Sequence, residues 1–409
     1  MAKLLRKAFN EEIYLVAAVR TPIGKFGGTL ASLTAAQLGT ESAKATLARS
    51  GIDPKAIDEV IFGNARQAGV GPNVARQVTI KSGLQHETPA YTINQACGSG
   101  LRSIMNAADQ IRLGHANVIL AGGTESMSNT PYLLPRARWG YRMGHDEIID
   151  GMVRDGFLCP LADEMMGSTA ETLAEQYGIT RDEQDQYAVQ SQAKAGRAYD
   201  ENRFANEIVP VRLEGRQGSR SDQTSISEVL FEKDEHPRFD ADLASMAKLP
   251  PVFRKGGSVH AGNSSGVTDG AASMLVASGS AVKQHNLTPM ARIVGYAQAG
   301  VDPKVMGIGP VPATRKLLAE TGVALEDIDL IELNEAFAAQ VIACDRELHL
   351  DPAKLNVHGG AISLGHPIGC TGARITTTLL HAMQTREKKL GLATLCISGG
   401  MGLSLLVER

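Results

Sequence analysis

The stretches Val118-Ile119-Leu120-Ala121-Gly122-Gly123 and Leu395-Cys396-Ile397-Ser398-Gly399-Gly400 resemble one another, and each contains an apolar run followed by paired glycines. A short apolar run bounded by turn residues is typical of a buried strand. A second pair of similar stretches, residues 51–60 and 322–331, precedes them in the same order, and each joins a helix to a buried strand. A similar number of residues separates the two members of each pair. This pattern predicts an internal duplication of a βαβ-rich unit.

The region before the first quoted run predicts a parallel crossover. Tyr91-Thr92-Ile93 has the character of a strand, and apolar residues then recur at helical spacing from Leu101 to Ile111, until Gly114 ends the helix. The next strand begins at Val118. Reactive groups in such sheets gather at the carboxyl ends of strands, where Cys97 lies.

Length and composition indicate a large α/β protein. With 409 residues, 43% hydrophobic and 21% charged, the chain exceeds what one hydrophobic core usually organises. A net charge of −3 and no long basic run argue against nucleic acid as a partner. The apolar run Ile13 to Val19 is too short to span a membrane, and residues 1–12 lack the layout of a signal peptide. A cytoplasmic location is therefore predicted.

Between the two similar halves the sequence becomes polar and helical. Ser168-x-x-Glu171 and Thr180-x-x-Glu183 have the pattern of capping boxes, and the loops are irregular. We expect an inserted loop domain that acts as a lid, because plain loop of this length is improbable in a compact protein. A run of long connections is the alternative.

Cys97 lies in Asn94-Gln95-Ala96-Cys97-Gly98-Ser99-Gly100, at the predicted strand-to-helix turn. Unpaired N–H groups and the positive dipole of a helix N-terminus favour a thiolate, so this position predicts a nucleophilic cysteine. The flanking glycines allow the backbone to approach a substrate closely. A buried thiol that only packs against the start of the helix is the alternative.

His366 is the candidate base for that thiol. It lies in the glycine-rich stretch 359–369, before a helix predicted to start near Thr371. The ordinary pKa of imidazole suits it to take a thiol proton at neutral pH. A surface or capping histidine is the alternative.

Two further polar side chains follow predicted buried strands. Cys396 lies at the carboxyl end of a strand; alone it would be a core residue, but the duplication can bring its turn to the site of Cys97. Asn334, after the strand at 329–333, can cap the next helix, or it can position a water or donate toward a developing oxyanion.

Four blocks closely resemble the signature motifs of the thiolase family, in the same order and at the same spacing. They are Asn-Gln-Ala-Cys-Gly-Ser-Gly at 94–100, Asn-Glu-Ala-Phe at 334–337, Gly-His-Pro at 365–367 and Cys-Ile-Ser-Gly-Gly-Met-Gly at 396–402. The resemblance runs from about Arg20 to the last strand. It implies an α/β fold of duplicated βαβαβαββ halves in a five-layer αβαβα arrangement, with an inserted loop domain. The implied domains are 1–126 plus 268–289 for the N-terminal half, 127–267 for the loop domain and 290–409 for the C-terminal half.

The resemblance also implies a reaction: the reversible Claisen condensation of two acetyl-CoA to acetoacetyl-CoA and CoA, through an acyl-cysteine intermediate. Cys97 would take the acyl group while His366 removes its proton, and Cys396 would handle the substrate α-proton. His366 and a water held by Asn334 would form one oxyanion hole. The backbone N–H groups of Cys97 and Ser398 would form the other.

Coenzyme A thioesters are the implied substrates, with no permanently bound cofactor and no metal. Ser265, in Ala261-Gly262-Asn263-Ser264-Ser265-Gly266, would contact the pantetheine, and Phe253 would pack on the same arm; a loop serine and a core aromatic are the alternatives. Met166 and Met306 stand where acetoacetyl-specific members place methionines. Phe337, in the second block, is assigned to the same acyl-binding set.

Three positions depart from the family pattern, and three cysteines match no position with a role in the family. Met165, His358 and Ser398 stand where relatives often have His, Asn and Gly, which bears on fine specificity and local hydrogen bonding. The remaining cysteines match no catalytic position and have no metal-ligand spacing, so we expect them to be structural: Cys159, Cys344 and Cys370.

Three other functions compete with this interpretation. A 3-ketoacyl-CoA thiolase of broader range, acting in β-oxidation, would use the same chemistry with a longer acyl tunnel. A decarboxylating enzyme acting on carrier-protein thioesters typically uses Cys with two His, or His and Asn, and is disfavoured here. A non-catalytic CoA- or lipid-binding protein would not need the four catalytic positions. The family is usually tetrameric, as a dimer of dimers, so a homotetramer is expected.

Overall fold

The computed structural model describes residues 11–216 and 226–409, so most of the segment tested for a signal peptide lies outside the described residues. The first part of the chain alternates strands and helices. Its elements are β1 (Ile13–Arg20), β2 (Gly24–Lys25), α1 (Ala35–Ser50), β3 (Glu59–Gly63), α2 (Val74–Lys81), β4 (Ala90–Ile93), α3 (Ser99–Arg112) and β5 (Val118–Ser126).

An inserted region follows, built from short two-stranded ribbons and polar helices. Its elements are β6 (Tyr132–Leu133), β7 (Ile149–Asp150), β8 (Leu158–Cys159), β9 (Glu164–Met165), α4 (Met166–Gln176), α5 (Arg181–Asp200), β10 (Val211–Arg216), β11 (Ile226–Phe231) and α6 (Leu243–Ala247). The capping box of Thr180 and Glu183 is confirmed at the start of α5. The box predicted at Ser168 is wrong, because α4 already begins at Met166 and Glu171 accepts hydrogen bonds from the N–H groups of residues 258 and 259.

The last part of the chain repeats the alternation of strands and helices. Its elements are β12 (Thr268–Ser278), α7 (Gly279–Gln284), β13 (Pro289–Gly300), α8 (Pro310–Thr321), β14 (Leu330–Leu333), α9 (Ala338–Leu348), α10 (Ala361–Leu364), α11 (Thr371–Thr385), β15 (Leu390–Ile397) and β16 (Met401–Glu408). β12 pairs antiparallel with β5 and β1, so the chain returns to the first sheet after the insertion. The exact domain boundaries stay a prediction.

The strand order confirms the duplication. The first half-sheet runs β4-β3-β5-β12-β1 and the second runs β14-β15-β16-β13, with β13 in the place of β1. Leu355 bridges to β14 in parallel, where the equivalent of β4 belongs. Antiparallel pairing of β1 with β13 joins the two halves edge to edge into one continuous sheet. The turns that lead into β3 and β14 also match, since Gly51 and Gly322 each donate an N–H to the preceding helix.

The core forms the five layers expected. α3 and α11 lie between the half-sheets, and their Ile104 and Ile375 share one cluster with inward strand residues such as Ile61. The alternate strand residues face outward. Val60 packs with α1 and α2, and Leu392 packs with α8 and α9. Each fully buried Ile, Leu or Val contributes roughly 1.5–3 kcal/mol to this core. Within residues 11–216 and 226–409, no helix combines the length and apolarity needed to cross a bilayer.

Candidate active site

The fold brings most of the predicted site residues to one cavity of about 100 Å³. It lies at the carboxyl ends of strands from both halves. The predicted residues that line it are Cys97, Met166, Ser265, Met306, Phe337, His366, Cys396 and Ser398. A larger groove of about 550 Å³, beside Tyr199 and Phe239, holds none of them and no thiol. The side chains that line the small cavity, rather than its volume, therefore identify it as the candidate active site.

A strained turn presents Cys97 to the cavity. Ala96, directly before it, has φ of 44°, a left-handed conformation that costs a non-glycine residue roughly 1–2 kcal/mol. Two side chains hold the turn: Asn94 Oδ1 accepts the Ala96 N–H at 3.0 Å, and Ser99 Oγ accepts the Gln95 N–H at 2.8 Å. The thiol is thus fixed by contacts local in sequence.

His366 is buried beside the thiol, so the surface alternative is wrong. Its Nε2 lies 3.4 Å from Cys97 Sγ, and its Nδ1 lies 2.6 Å from Thr371 Oγ1. That hydroxyl lies 3.0 Å from the Pro367 carbonyl, and when it donates its hydrogen there it accepts from Nδ1–H. The neutral ring therefore turns the Nε2 lone pair toward the sulfur, as a base requires.

The resting pair is a neutral thiol and a neutral imidazole. Burial raises the pKa of the Cys97 thiol, against lowering contributions from the Ser398 N–H and the Arg66 guanidinium. Burial, together with the cations Arg374 and Arg66, lowers the pKa of His366 to about 3. The sequence expectation of a thiolate favoured by the helix N-terminus is therefore wrong for the resting protein, because desolvation outweighs the N–H groups. His366 must take the proton as the thiol reacts.

Cys396 lies in the apolar wall of the same cavity. It is 1% exposed and packs in one cluster with Cys159, Met166, Met306 and Phe337. Burial, and then the neighbouring Cys97 sulfur, raises the pKa of Cys396 well above its ordinary value. The resting form is thus the thiol, which can donate a proton.

Asn334 does not cap a helix, because α9 begins four residues later, at Ala338. Its side chain is 1% exposed, and neither Oδ1 nor Nδ2 has a hydrogen-bond partner among the described residues. A buried unpaired amide is unfavourable by about 1–3 kcal/mol. A polar residue kept in this state has the donor and acceptor that a water or a substrate oxygen can use.

The residues predicted for the pantetheine arm lie at different depths. Ser265 lines the cavity, and its N–H donates to the Ala336 carbonyl at 3.0 Å. Phe253 lies one layer behind, edge-on to the Phe337 ring with centroids 6.1 Å apart. A Cβ on Gly167 would lie 2.2 Å from the Phe253 ring, so the ring packs directly on α4.

The remaining predicted positions lie around the site or in the core. Met165 immediately precedes α4, whereas His358 is 2% exposed and its ring nitrogens have no partner within the described part of the chain. Burial lowers the pKa of His358 to about 4. All five cysteines are free, and Cys159, Cys344 and Cys370 are buried. Among the described residues, no group of three or more His, Cys, Asp or Glu could hold a metal ion.

Two family models match this chain. The model described as "Thiolase, N-terminal domain" matches residues 13–280, and the model described as "Thiolase, C-terminal domain" matches residues 287–409. The chain belongs to the thiolase family. The resemblance of the four sequence blocks is thereby confirmed, and so is the fold that it implied.

Curated relatives and solved structures agree with this assignment. The thiolase chain is 51% identical to an acetyl-CoA acetyltransferase of Syntrophomonas wolfei, over 98% of this chain and 99% of that protein. It is 50% identical to the Escherichia coli acetyl-CoA acetyltransferase, over 97% and 98%. The acetyl-CoA acetyltransferase of Bacillus anthracis superposes with a TM-score of 0.93 at 46% identity, covering 97% of this chain and 98% of that one. Human mitochondrial 3-ketoacyl-CoA thiolase superposes equally well, at 43% identity, covering 98% and 100%.

Sequence reasoning missed three residues that this thiolase places at the site. Thr371 fixes the tautomer of His366, and Arg66 lines the cavity. Glu125 is fully buried and accepts hydrogen bonds from the N–H groups of Arg66 and Gly369, so it ties the turn after β3 to the turn before α11. A signal was present for Arg66 and Glu125, since both lie at the carboxyl ends of predicted strands.

Proposed function

We propose that this chain catalyses the reversible Claisen condensation of two acetyl-CoA molecules to acetoacetyl-CoA and CoA, the reaction for which its curated relatives are named. The observation that carries the proposal is one small cavity that holds the Cys97–His366 pair, 3.4 Å apart, together with the second thiol of Cys396. An acyltransferase that forms an acyl-enzyme and then a carbanion needs these three groups.

The first half-reaction forms the acyl-enzyme. Cys97 Sγ attacks the thioester carbonyl of acetyl-CoA as its proton passes to Nε2 of His366. The bond between the carbonyl carbon and the CoA sulfur then breaks, and the departing CoA thiolate takes the proton back from Nε2. His366 begins each cycle as a neutral base, in keeping with its lowered pKa.

The second half-reaction forms the carbon–carbon bond. Cys396, as thiolate, removes a proton from the methyl of a second acetyl-CoA, and the carbanion attacks the acetyl carbonyl on Cys97. The bond from that carbon to Cys97 Sγ breaks, which releases acetoacetyl-CoA. The proton that Cys396 gave up on forming its thiolate passes through Nε2 of His366 to the Cys97 sulfur, so both thiols return to their resting form. An acylated Cys97 cannot carry a thiolate charge beside Cys396, so the Coulombic contribution by which ionised Cys97 raises the pKa of Cys396 is absent in the acyl-enzyme.

Hydrogen-bond donors already surround the oxygens that become charged. Backbone N–H groups of Ser398 and Cys97 face the Cys97 sulfur, which supports their assignment to the oxyanion hole of the tetrahedral intermediate. The unpaired amide of Asn334 supports its assignment as the residue that holds a water beside His366. Ser265 and Phe253 are assigned to the pantetheine arm of the CoA thioester substrates.

The size of the acyl cavity favours a short substrate. Met166, Met306 and Phe337 are each at least 90% buried around a space of about 100 Å³, which leaves room for only a few heavy atoms beside Cys97. A broader 3-ketoacyl-CoA thiolase is the second candidate. The backbone does not separate the two candidates, because the chain superposes equally well on human mitochondrial 3-ketoacyl-CoA thiolase and on the acetyl-CoA acetyltransferase of Bacillus anthracis.

Steady-state thiolysis separates the two candidates. Rates with acetoacetyl-CoA are compared with those for longer and 2-methyl 3-ketoacyl-CoAs, with Cys97→Ala as the blank. We expect the four-carbon substrate to have the highest kcat/KM and Cys97→Ala to lose about 10⁴-fold or more. Equal or better rates on long chains would assign the enzyme to the broader class. Activity surviving in Cys97→Ala would overturn the mechanism.

We also propose that the enzyme is a homotetramer in the cytoplasm. Exposed apolar side chains on β6 and on the segment that joins it to β7 support self-association: Tyr132, Leu134, Trp139, Tyr141, Met143 and Ile148. Light scattering of the purified protein tests this assembly. Replacing Trp139 and Met143 together by Ser should lower the measured mass, whereas an unchanged tetramer would place the interface elsewhere.

A further inference from the structure

Arg66 brings a cation to the catalytic cavity. Among the described residues that line the cavity it is the only Lys or Arg, and its side chain is largely buried. Nη1 donates to the Asp155 carbonyl at 3.1 Å. Nε and Nη2, which form one edge of the guanidinium, have no hydrogen-bond partner among the described residues. A buried charge with two spare donors is unfavourable unless something uses them.

A single turn of the inserted region holds this guanidinium in place. Val153–Phe157 forms a π-helical turn, and its last three residues line the same cavity. The Arg66 guanidinium carbon lies 5.8 Å from the centroid of the Phe157 ring. A Cβ on Gly156 would lie 2.0 Å from Nη2, so any larger residue at this position would displace the guanidinium from where it packs against the turn. The guanidinium is therefore preorganised before substrate binds.

The charge acts on the reacting groups. It opposes the raised pKa of the Cys97 thiol and contributes to the lowered pKa of His366. The other charged or titratable groups near this pair, on the elements packed around it, are Glu125, Asp155, Arg374 and Cys396. Of these, the Glu125 carboxylate disfavours ionisation of the thiol. Arg66 thus offsets the negative charge of Glu125, the buried carboxylate that ties the turn after β3 to the turn before α11.

We propose that Arg66 is a positioning residue that stabilises the negative charge developing at Cys97 during acyl transfer, with the turn Val153–Phe157 fixing its guanidinium. Negative charge appears at this end of the cavity only as the thiol ionises and the tetrahedral intermediate forms. A fixed cation with spare donors therefore interacts more strongly with the transition state than with the neutral resting pair. The proposal rests on the acyl-transfer function above and adds an electrostatic residue to it.

The pH dependence of Cys97 alkylation tests this role without any CoA thioester. Iodoacetamide labelling of Cys97 is followed by peptide mass spectrometry from pH 6 to pH 11 in wild type, Arg66→Met and Arg154→Met. Arg154 is an exposed cation on the same turn and serves as the matched control. We expect the midpoint to rise by about one pH unit in Arg66→Met and to stay unchanged in Arg154→Met. An unchanged midpoint in Arg66→Met would overturn the proposal.

Two more variants separate charge from packing. Arg66→Lys keeps the charge but loses the fork, and we expect its midpoint near that of wild type; a rise as large as in Arg66→Met would overturn the proposal. Phe157→Ala loosens the turn without removing the charge, so a shift smaller than in Arg66→Met is expected, and an equal shift would contradict the electrostatic role. Circular dichroism checks that each variant is folded.

Kinetics give an independent readout. In thiolysis, Arg66→Met should lower kcat about tenfold and change the KM for CoA less than twofold, because the charge acts on the transition state. A change confined to KM would contradict the proposal. Failure of wild type to turn over acetoacetyl-CoA would instead contradict the proposed function, and the alkylation result would still decide the role of Arg66.

Discussion

The two central helices, α3 and α11, occupy equivalent places in the two halves, yet the segments that lead into them differ. A short strained turn carries Cys97 into α3, whereas a long buried loop, residues 356–370, which includes the single turn of α10, carries His366 toward α11. The thiol of one half and the imidazole of the other meet at 3.4 Å. Duplication therefore supplied two similar positions, and divergence of the connecting segments gave each a different part of the reaction.

The two segments are also held in different ways. The turn at Cys97 depends on Asn94 and Ser99, which are its immediate neighbours. The long loop depends on Glu335, a buried carboxylate after β14. It accepts hydrogen bonds from Tyr187 and Ser191 of α5, from the Asn356 side chain and from the Ile362 N–H. The base is thus positioned by distant parts of the chain, including the inserted region.

The largest expected effect separates the two thiols. Cys396→Ala should leave Cys97 and His366 intact, so acetylation of Cys97 by acetyl-CoA should continue while condensation and thiolysis fall by about 10²–10⁴-fold. Mass spectrometry of the acyl-enzyme and steady-state rates measure the two parts. Cys344→Ala, at a buried thiol outside the cavity, is the control. Loss of acetylation in Cys396→Ala would show that the second thiol also serves the first half-reaction.

Replacing Glu335, whose carboxylate holds the long loop, tests whether the two segments are held in different ways. Glu335→Ala leaves several buried donors unpaired, so we expect the free energy of unfolding to fall by about 3 kcal/mol and the catalytic rate to fall with it. Ser99→Ala, in the short turn, should cost only about 1 kcal/mol. Urea denaturation measures both. Equal losses of unfolding free energy would mean that the two segments do not differ in how they are held.

His358, in the long loop, is one of the buried histidines that make the stability of the protein depend on pH. Its pKa is about 4 in the folded protein, below the ordinary value of 6.5, so the folded state binds fewer protons. The contribution of His358 to the free energy of unfolding is fully present above about pH 6.5. It is lost as the pH falls toward 4, by about 2 kcal/mol at pH 5. His358→Asn should flatten the decline of unfolding free energy between pH 7 and pH 5. A decline as steep as in wild type would assign it to other groups.

The smallest effect concerns the tautomer of His366. Thr371→Val removes the acceptor for Nδ1–H, so the ring is no longer held with its Nε2 lone pair toward Cys97. One lost neutral hydrogen bond corresponds to about 0.5–1.5 kcal/mol, or roughly 3–10-fold in the acylation rate. Stopped-flow acetylation measures it, with Thr376→Val on the same helix as control. An unchanged rate would show that packing alone orients the ring.

The sequence predicted what depends on local pattern and order. The helix caps at Gly51 and Gly322 match, and the four motif blocks bring Cys97, His366 and Cys396 to one cavity. The paired glycines were aligned wrongly between the halves. Residues 122 and 123 lie inside β5, whereas residues 399 and 400 form a turn with φ near 87°. The paired glycines therefore have different backbone conformations in the two halves.

Properties that arise from tertiary contacts could not be predicted in this way. The raised pKa of Cys97 follows from burial by residues far away in the sequence. Glu171 does not form the expected capping box, because its carboxylate accepts hydrogen bonds from the N–H groups of residues 258 and 259. The partners of Arg66 and Glu125 come from the inserted region and from the C-terminal half. No local pattern records such neighbours.

The position of β16 affects how the protein is made. β16 lies between β13 and β15 and follows every other strand of the sheet in the chain. β13 ends at residue 300 and β16 begins at residue 401, so the edge of β13 that pairs with β16 is open to wrong partners while the intervening residues are made. Chaperone protection should matter most in this interval. The strand that carries Cys396 reaches its final neighbours only when synthesis has passed β16, so an unfinished chain cannot assemble the second thiol into the site.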